Sequence, residues 1–185
     1  EKRDILQEDI EQIRESILSY FSGEEEVLIE RTLSIIEELD KEHPEVSYHN
    51  RHHSFSMARY ALDGWQNIIN NEDNILTNKQ REIVRKIITI IAIGVILHDL
   101  GYYESDPVLG MMKFNHEERG IEKIKEMSQE LGLSNDEINV ISIIIRGTIL
   151  KNKLPSIEDI WGKTSLTKEE QTLLLDSLGI KKDIF

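Results

Sequence analysis

The stretch Ile87-Ile88-Thr89-Ile90-Ile91-Ala92-Ile93-Gly94-Val95-Ile96-Leu97-His98-Asp99-Leu100-Gly101 decides how this chain folds. Its β-branched residues suit a buried strand as well as a buried helix. Length and the helical signals on its flanks favour the helix. The expected element runs from about Lys79 to Leu100, is buried on most sides, and ends at Gly101, a natural C-terminal glycine. The apolar run is too short to span a bilayer. It delivers an imidazole and a carboxylate, His98 and Asp99, at its buried end.

Outward from this helix, the 3.6-residue period dominates. Phe55, Tyr60, Leu62 and Trp65 mark a helix from about His49 to Ile69, and Asn70, Asn71 and Asn74 then signal a loop. Ile5, Ile10, Ile13, Ile17 and Leu18 mark a first amphipathic helix ending near Ser22-Gly23. Val27, Leu28, Leu33, Ile36 and Leu39 mark a second, stopped before Pro44. On the other side, Tyr102 to Phe114 holds Pro107 and Gly110 and reads as a loop placed to act as a lid. Asn115 can cap a helix lasting until Gly132. Ser134 with Glu137 forms a capping-box pattern for a helix through about Leu150. Thr167 caps a last helix, Lys168 to Leu178, closed by Gly179. The expected fold class is all-α.

Composition limits the function. A chain of 185 residues without repeats or long linkers suits a single domain, 1–185. It has no cysteine, so disulfides, thiolate-bound zinc and thiol nucleophiles are excluded. That absence, with no signal-peptide pattern, leads to the expectation of a cytoplasmic protein. Glu1 in place of a methionine leaves room for an upstream leader or domain. The net charge of -13 argues against a nucleic-acid polymer as partner, because polyanion binding needs a basic face. A small anion is not excluded, since a bound cation reverses the field locally.

Five of the six histidines fall in three small clusters: His49, His52 and His53; His98; and His116. On a helix His49 and His53 share a face, and His52 points away from it. Asp176 lies in the apolar run Leu173-Leu174-Leu175, so it must be paired, metal-bound or turned to solvent. For His53, His98 and Asp99 the alternatives are a hydrogen-bonded core network and a metal site.

Four segments carry a resemblance: Tyr48-His49-Asn50 with His53, Ile96-Leu97-His98-Asp99-Leu100-Gly101, Asn115-His116-Glu117-Glu118-Arg119-Gly120, and a late Asp176. Together they resemble the HD-domain superfamily of metal-dependent phosphohydrolases, over roughly Tyr48 to Asp176. The resemblance implies a compact single-domain helical bundle, with a metal-site core in 46–180 and N-terminal helices in 1–45 that pack on or extend it. It implies His53, His98, Asp99 and Asp176 as metal ligands, with Asp99 able to bridge two ions. It also implies catalytic roles for His49, as proton donor to the leaving group, and for Asp99. His116 matches a residue near a second metal or the phosphate. Arg51, Lys113, Arg119 and Arg146 are the cations available to grip phosphate. Leu175-Asp176-Ser177-Leu178-Gly179 departs by one residue from the family's spacing for the fourth ligand, and the Gly-Tyr-Pro extension of cyclic di-nucleotide hydrolases is absent.

The implied function is hydrolysis of a phosphomonoester or phosphodiester in a nucleotide-like or other small metabolite, by attack of metal-activated water. The implied cofactor is one or two divalent ions, from Fe, Mn, Zn, Ni or Mg. No membrane partner is expected, and a homo-oligomer is compatible with the sequence. Two other readings stay open: a non-catalytic ligand-sensing or scaffold domain, and a di-iron oxygenase needing more ligands than the spare His116 and His49.

Overall fold

The computed structural model describes residues 2–44, 46, 50–69, 77–103 and 116–147. Regular structure there is entirely helical. The order is α1 (Lys2–Leu18), α2 (Glu24–Glu42), α3 (Arg51–Ile69), α4 (Asn78–Ile96), a 3₁₀ turn (Leu100–Tyr102), α5 (His116–Leu131) and α6 (Asn135–Gly147). Among the described residues, no helix is long and apolar enough to cross a membrane. The last helix expected from the sequence, Asp176 as the expected fourth ligand, and all but the start of the supposed lid lie outside the described residues.

Helix boundaries follow local chemistry. Gly23 precedes α2 with φ 65°, a left-handed conformation that disfavours a side chain. Three glutamates then occupy the first turn of α2, where the helix dipole favours them. Thr77 and Gln80 form a capping box on α4, with the Thr77 hydroxyl oxygen accepting from the Gln80 N–H and the Gln80 side chain accepting from the Thr77 N–H. Ser134 and Glu137 do the same for α6.

The isoleucine-rich segment is helical. β-Branched side chains lower helix propensity only slightly, and burial outweighs that cost. Ala92, Ile93, Ile96 and Leu97 are fully buried. α4 is the central strut, in contact with α2, α3 and α6. Gly94 lets α6 approach it: a Cβ there would meet the Ile144 side chain at 3.1 Å. α1 and α2 supply Ile17, Ile29, Leu33 and Ile36, all with no exposure, to the same core that receives Phe55 from α3 and Ile121 and Ile124 from α5.

Three boundaries differ by two residues or more from the sequence reading. α1 ends at Leu18, short of the expected Ser22-Gly23. α4 ends at Ile96, and Leu97 to Asp99 form a turn leading into the 3₁₀ segment. The ring of His98 takes the Val95 carbonyl as partner, which helps break the helical ladder there. α3 begins at Arg51, because the Asn50 side chain accepts from the His53 N–H at 3.2 Å and so caps the helix. His49 is outside the described residues, and a helical face shared with His53 does not follow from α3.

Candidate metal centre

Two consecutive helices, α3 and α4, bring three polar side chains to one buried corner. His53 comes from the first turn of α3. His98 and Asp99 come from the turn after α4. The Asp99 carboxylate is 3% exposed, an expensive place for a charge without partners. Its Oδ2 lies 3.1 Å from His98 Nε2 and 3.5 Å from His53 Nε2. The two imidazoles are tilted against each other with centroids 5.4 Å apart. One ligand atom from each of the three residues lies within 4.8 Å of the others.

Orientation of the rings comes from the backbone. His98 Nδ1 lies 2.7 Å from the Val95 carbonyl oxygen and donates to it, which fixes the tautomer and turns Nε2 toward Asp99. Burial opposes a charge on His98, but the hydrogen bond and negative charge of Asp99, helped by the Val95 carbonyl, prevail and hold the imidazolium above its ordinary value. The corner therefore favours a positive charge at the point the three side chains share. A divalent cation with borderline ligand preference fits this donor set of two imidazole nitrogens and one carboxylate.

The surroundings include a residue the sequence did not single out, Asp40. Asp40 of α2 accepts from the Arg51 guanidinium, Nε to Oδ2 at 3.2 Å, which anchors the start of α3. Arg51, one of the cations considered for phosphate, is thereby engaged with a carboxylate. Tyr103, buried beside this pair, has its phenol held far above the ordinary value, first by burial and then by the charges of Asp40 and Asp99. Nothing local in the sequence links Asp40 to Arg51; only the fold brings them together.

On the other side, the 3₁₀ turn packs on α5. Tyr102 packs against His116 with the rings tilted by 37° and centroids 4.0 Å apart, and His116 Nε2 is 3.1 Å from Glu117 Oε1. Burial, then the charges of Asp99 and Glu117, raise the Tyr102 phenol. His116 thus flanks the corner without belonging to the three-residue group. Arg119 is half-buried on the same helix. Arg146 forms an exposed bidentate pair with Glu118, at 2.7 and 2.8 Å. Lys113 and His49 lie outside the described residues.

Gly101 permits this junction. The sequence reading has Gly101 close the helix, but α4 ends at Ile96 and Gly101 is not among the positive-φ glycines. Its absent side chain matters for another reason. A Cβ on Gly101 would stand 1.8 Å from the His116 carbonyl oxygen and 2.9 Å from the Gly120 nitrogen. The backbone next to Asp99 therefore touches the backbone of α5 directly.

No family model, curated protein or solved structure matches this chain.

Proposed function

We propose that the chain is a metal-dependent phosphohydrolase of the HD-domain type, acting on a phosphomonoester or phosphodiester of a small, nucleotide-like metabolite. The observation that carries this reading is the convergence of His53 Nε2 and His98 Nε2 on one oxygen of a buried Asp99. The sequence pattern supports it, since these three residues are the ones its likeness to the HD domains picks out.

His53, His98 and Asp99 would hold the ion, joined by Asp176 in this reading. A divalent cation, when bound, supplies Lewis acidity, acidifying water and neutralising charge on phosphoryl oxygens. The protein's own contribution is preorganisation. The Val95 carbonyl keeps His98 Nε2 facing the shared point, and the Asn50 cap holds the first turn of α3, which carries His53. Burial of Asp99 keeps its carboxylate from being solvated in competition with a ligand. His116 and Arg119, on the helix packed against the 3₁₀ turn, are the groups read as acting on the substrate phosphate. His49 is the proton donor in this scheme.

Elemental analysis of the purified protein, then a panel of phosphomonoesters and phosphodiesters with added Mn²⁺, Zn²⁺, Ni²⁺, Mg²⁺ or Fe²⁺, tests the reading. Asp99→Ala is expected to lose metal and turnover together. His49→Ala is expected to keep the metal and to lose about 10²–10⁴-fold in rate on esters with poor leaving groups, the usual worth of general-acid help. Turnover that survives Asp99→Ala would sink the proposal. Metal binding without turnover on any ester would move the chain to the ligand-sensing reading.

A further inference from the structure

The lower half of α4 borders a second site, remote from the metal corner. A cleft of about 510 Å³ opens between the end of α1, the start of α2, the end of α3 and the first half of α4. That size is in the range of small-molecule pockets. Leu62, Val84 and Ile88 give it a buried apolar floor, and Tyr20, Phe21 and Trp65 give it aromatic walls. Arg81 and Arg85 stand at its rim.

These two guanidiniums are the unusual feature. They lie four residues apart on one helix face, where like charges repel. Arg81 closes the first turn of α4, where the helix dipole disfavours cations, and that turn holds no acidic residue to offset it. Among the described residues neither makes an ion pair or a side-chain hydrogen bond, although the chain carries a net charge of -13 and other arginines do find carboxylates. Glu25 and Glu82 also line the cleft, yet neither approaches Arg81 or Arg85 closely enough to pair. Two adjacent unpaired guanidiniums over an aromatic-walled floor present what a planar ring carrying an anionic group requires: a surface on which to stack and a fork for the oxygens.

We infer that this cleft binds a small aromatic anion, its ring against Trp65 and Phe21 and its phosphate, sulfonate or carboxylate group on Arg81 and Arg85. Glu25 is placed to accept from any N–H on the ring. The site is separate from the metal corner: from Arg85 to the end of α4 at Ile96 the helix rises roughly 16 Å. It does not depend on the phosphohydrolase reading.

Equilibrium titration with 2-naphthalenesulfonate, a stable aromatic anion, tests it. Trp65 emission provides the signal in a Trp161→Phe background, with calorimetry giving the stoichiometry. One molecule is expected per chain. The Arg81→Gln/Arg85→Gln double variant is expected to weaken binding at least tenfold, and its fold should persist because both residues are exposed and unpaired. The uncharged 2-naphthalenemethanol and ring-free inorganic phosphate should each bind at least tenfold more weakly than the sulfonate. Asp99→Asn should leave sulfonate binding unchanged. Equal binding by the double variant, or by the uncharged ring, overturns the inference. So does loss of binding in Asp99→Asn, which would put the probe in the metal corner.

Discussion

Replacing Gly101 with alanine tests the junction between the candidate ligands and α5. The added Cβ would lie 1.8 Å from the His116 carbonyl oxygen, and real Cβ contacts essentially never fall under 3.0 Å. Something must move by at least about 1.2 Å, the difference between those two distances. The obstructing atoms are backbone on both sides, His116 and Gly120, so no side-chain rotation relieves the clash. Overpacking a tight contact costs roughly 1–3 kcal/mol, and occasionally more. The smaller unfolded-state entropy of alanine offsets about 0.4–1 kcal/mol of that. A backbone collision belongs at the upper end, so a net loss of about 2–3 kcal/mol is expected. Urea denaturation followed by circular dichroism measures it, with an unchanged slope showing that the midpoint shift reflects stability. Gly64→Ala is the matched control. Gly64 is exposed within α3, and a Cβ added there would meet nothing within 4 Å, so alanine should stabilise by about 0.5–1 kcal/mol. A Gly101→Ala protein as stable as the parent would refute the close backbone contact and the path it gives from Asp99 to α5.

Other expectations concern helix ends and one tyrosine. Ser134→Ala removes the hydroxyl that caps α6 and should cost about 1 kcal/mol in a thermal or urea melt, an effect that Ser134→Asn should largely restore. Tyr20 donates its hydroxyl to Asp63, linking the end of α1 to α3, and this bond, followed by burial and the Asp63 charge, raises its pKa to about 12. A raised pKa stabilises the fold fully below the unfolded value, about 10, and that contribution disappears as pH rises through about 12. The stability difference between the parent and Tyr20→Phe should therefore shrink across that interval, a trend that melts at stepped pH would reveal; a constant difference would show that the bond is absent. The exposure of this pair keeps the effect small.

What is legible in the sequence is mostly periodic. The apolar spacing in α1, α2 and α3 marks faces that the structure largely buries, although Val27 and Tyr60 turn out exposed, and the Ser134–Glu137 box places the start of α6 within a residue. The Thr77–Gln80 box carries the same signal for the start of α4, one residue ahead of the position that the apolar run suggests. The expected start of α3 falls two residues early, because the histidines around Asn50 compete for attention with a strong capping residue. The expected end of α4 falls late, because an apolar run does not show where a ring will compete for a carbonyl. Pairs such as Asp40 with Arg51, or Gly101 with Gly120, depend on tertiary approach and leave no local trace. The three-residue corner is legible because His98-Asp99 follows the long apolar run Ile87–Leu97 and a spaced His53 precedes it.

The burial of α1 and α2 bears on how small a working piece of this chain can be. A fragment starting at Val46 would keep His53, His98 and Asp99 but would discard Ile17, Ile29, Leu33 and Ile36, along with Asp40, the anchor of Arg51. It would present a continuous apolar scar to water, of the kind that drives self-association. The first two helices therefore form one wall of the core on which the corner rests, and any transplant of that corner into another scaffold has to carry a substitute for them.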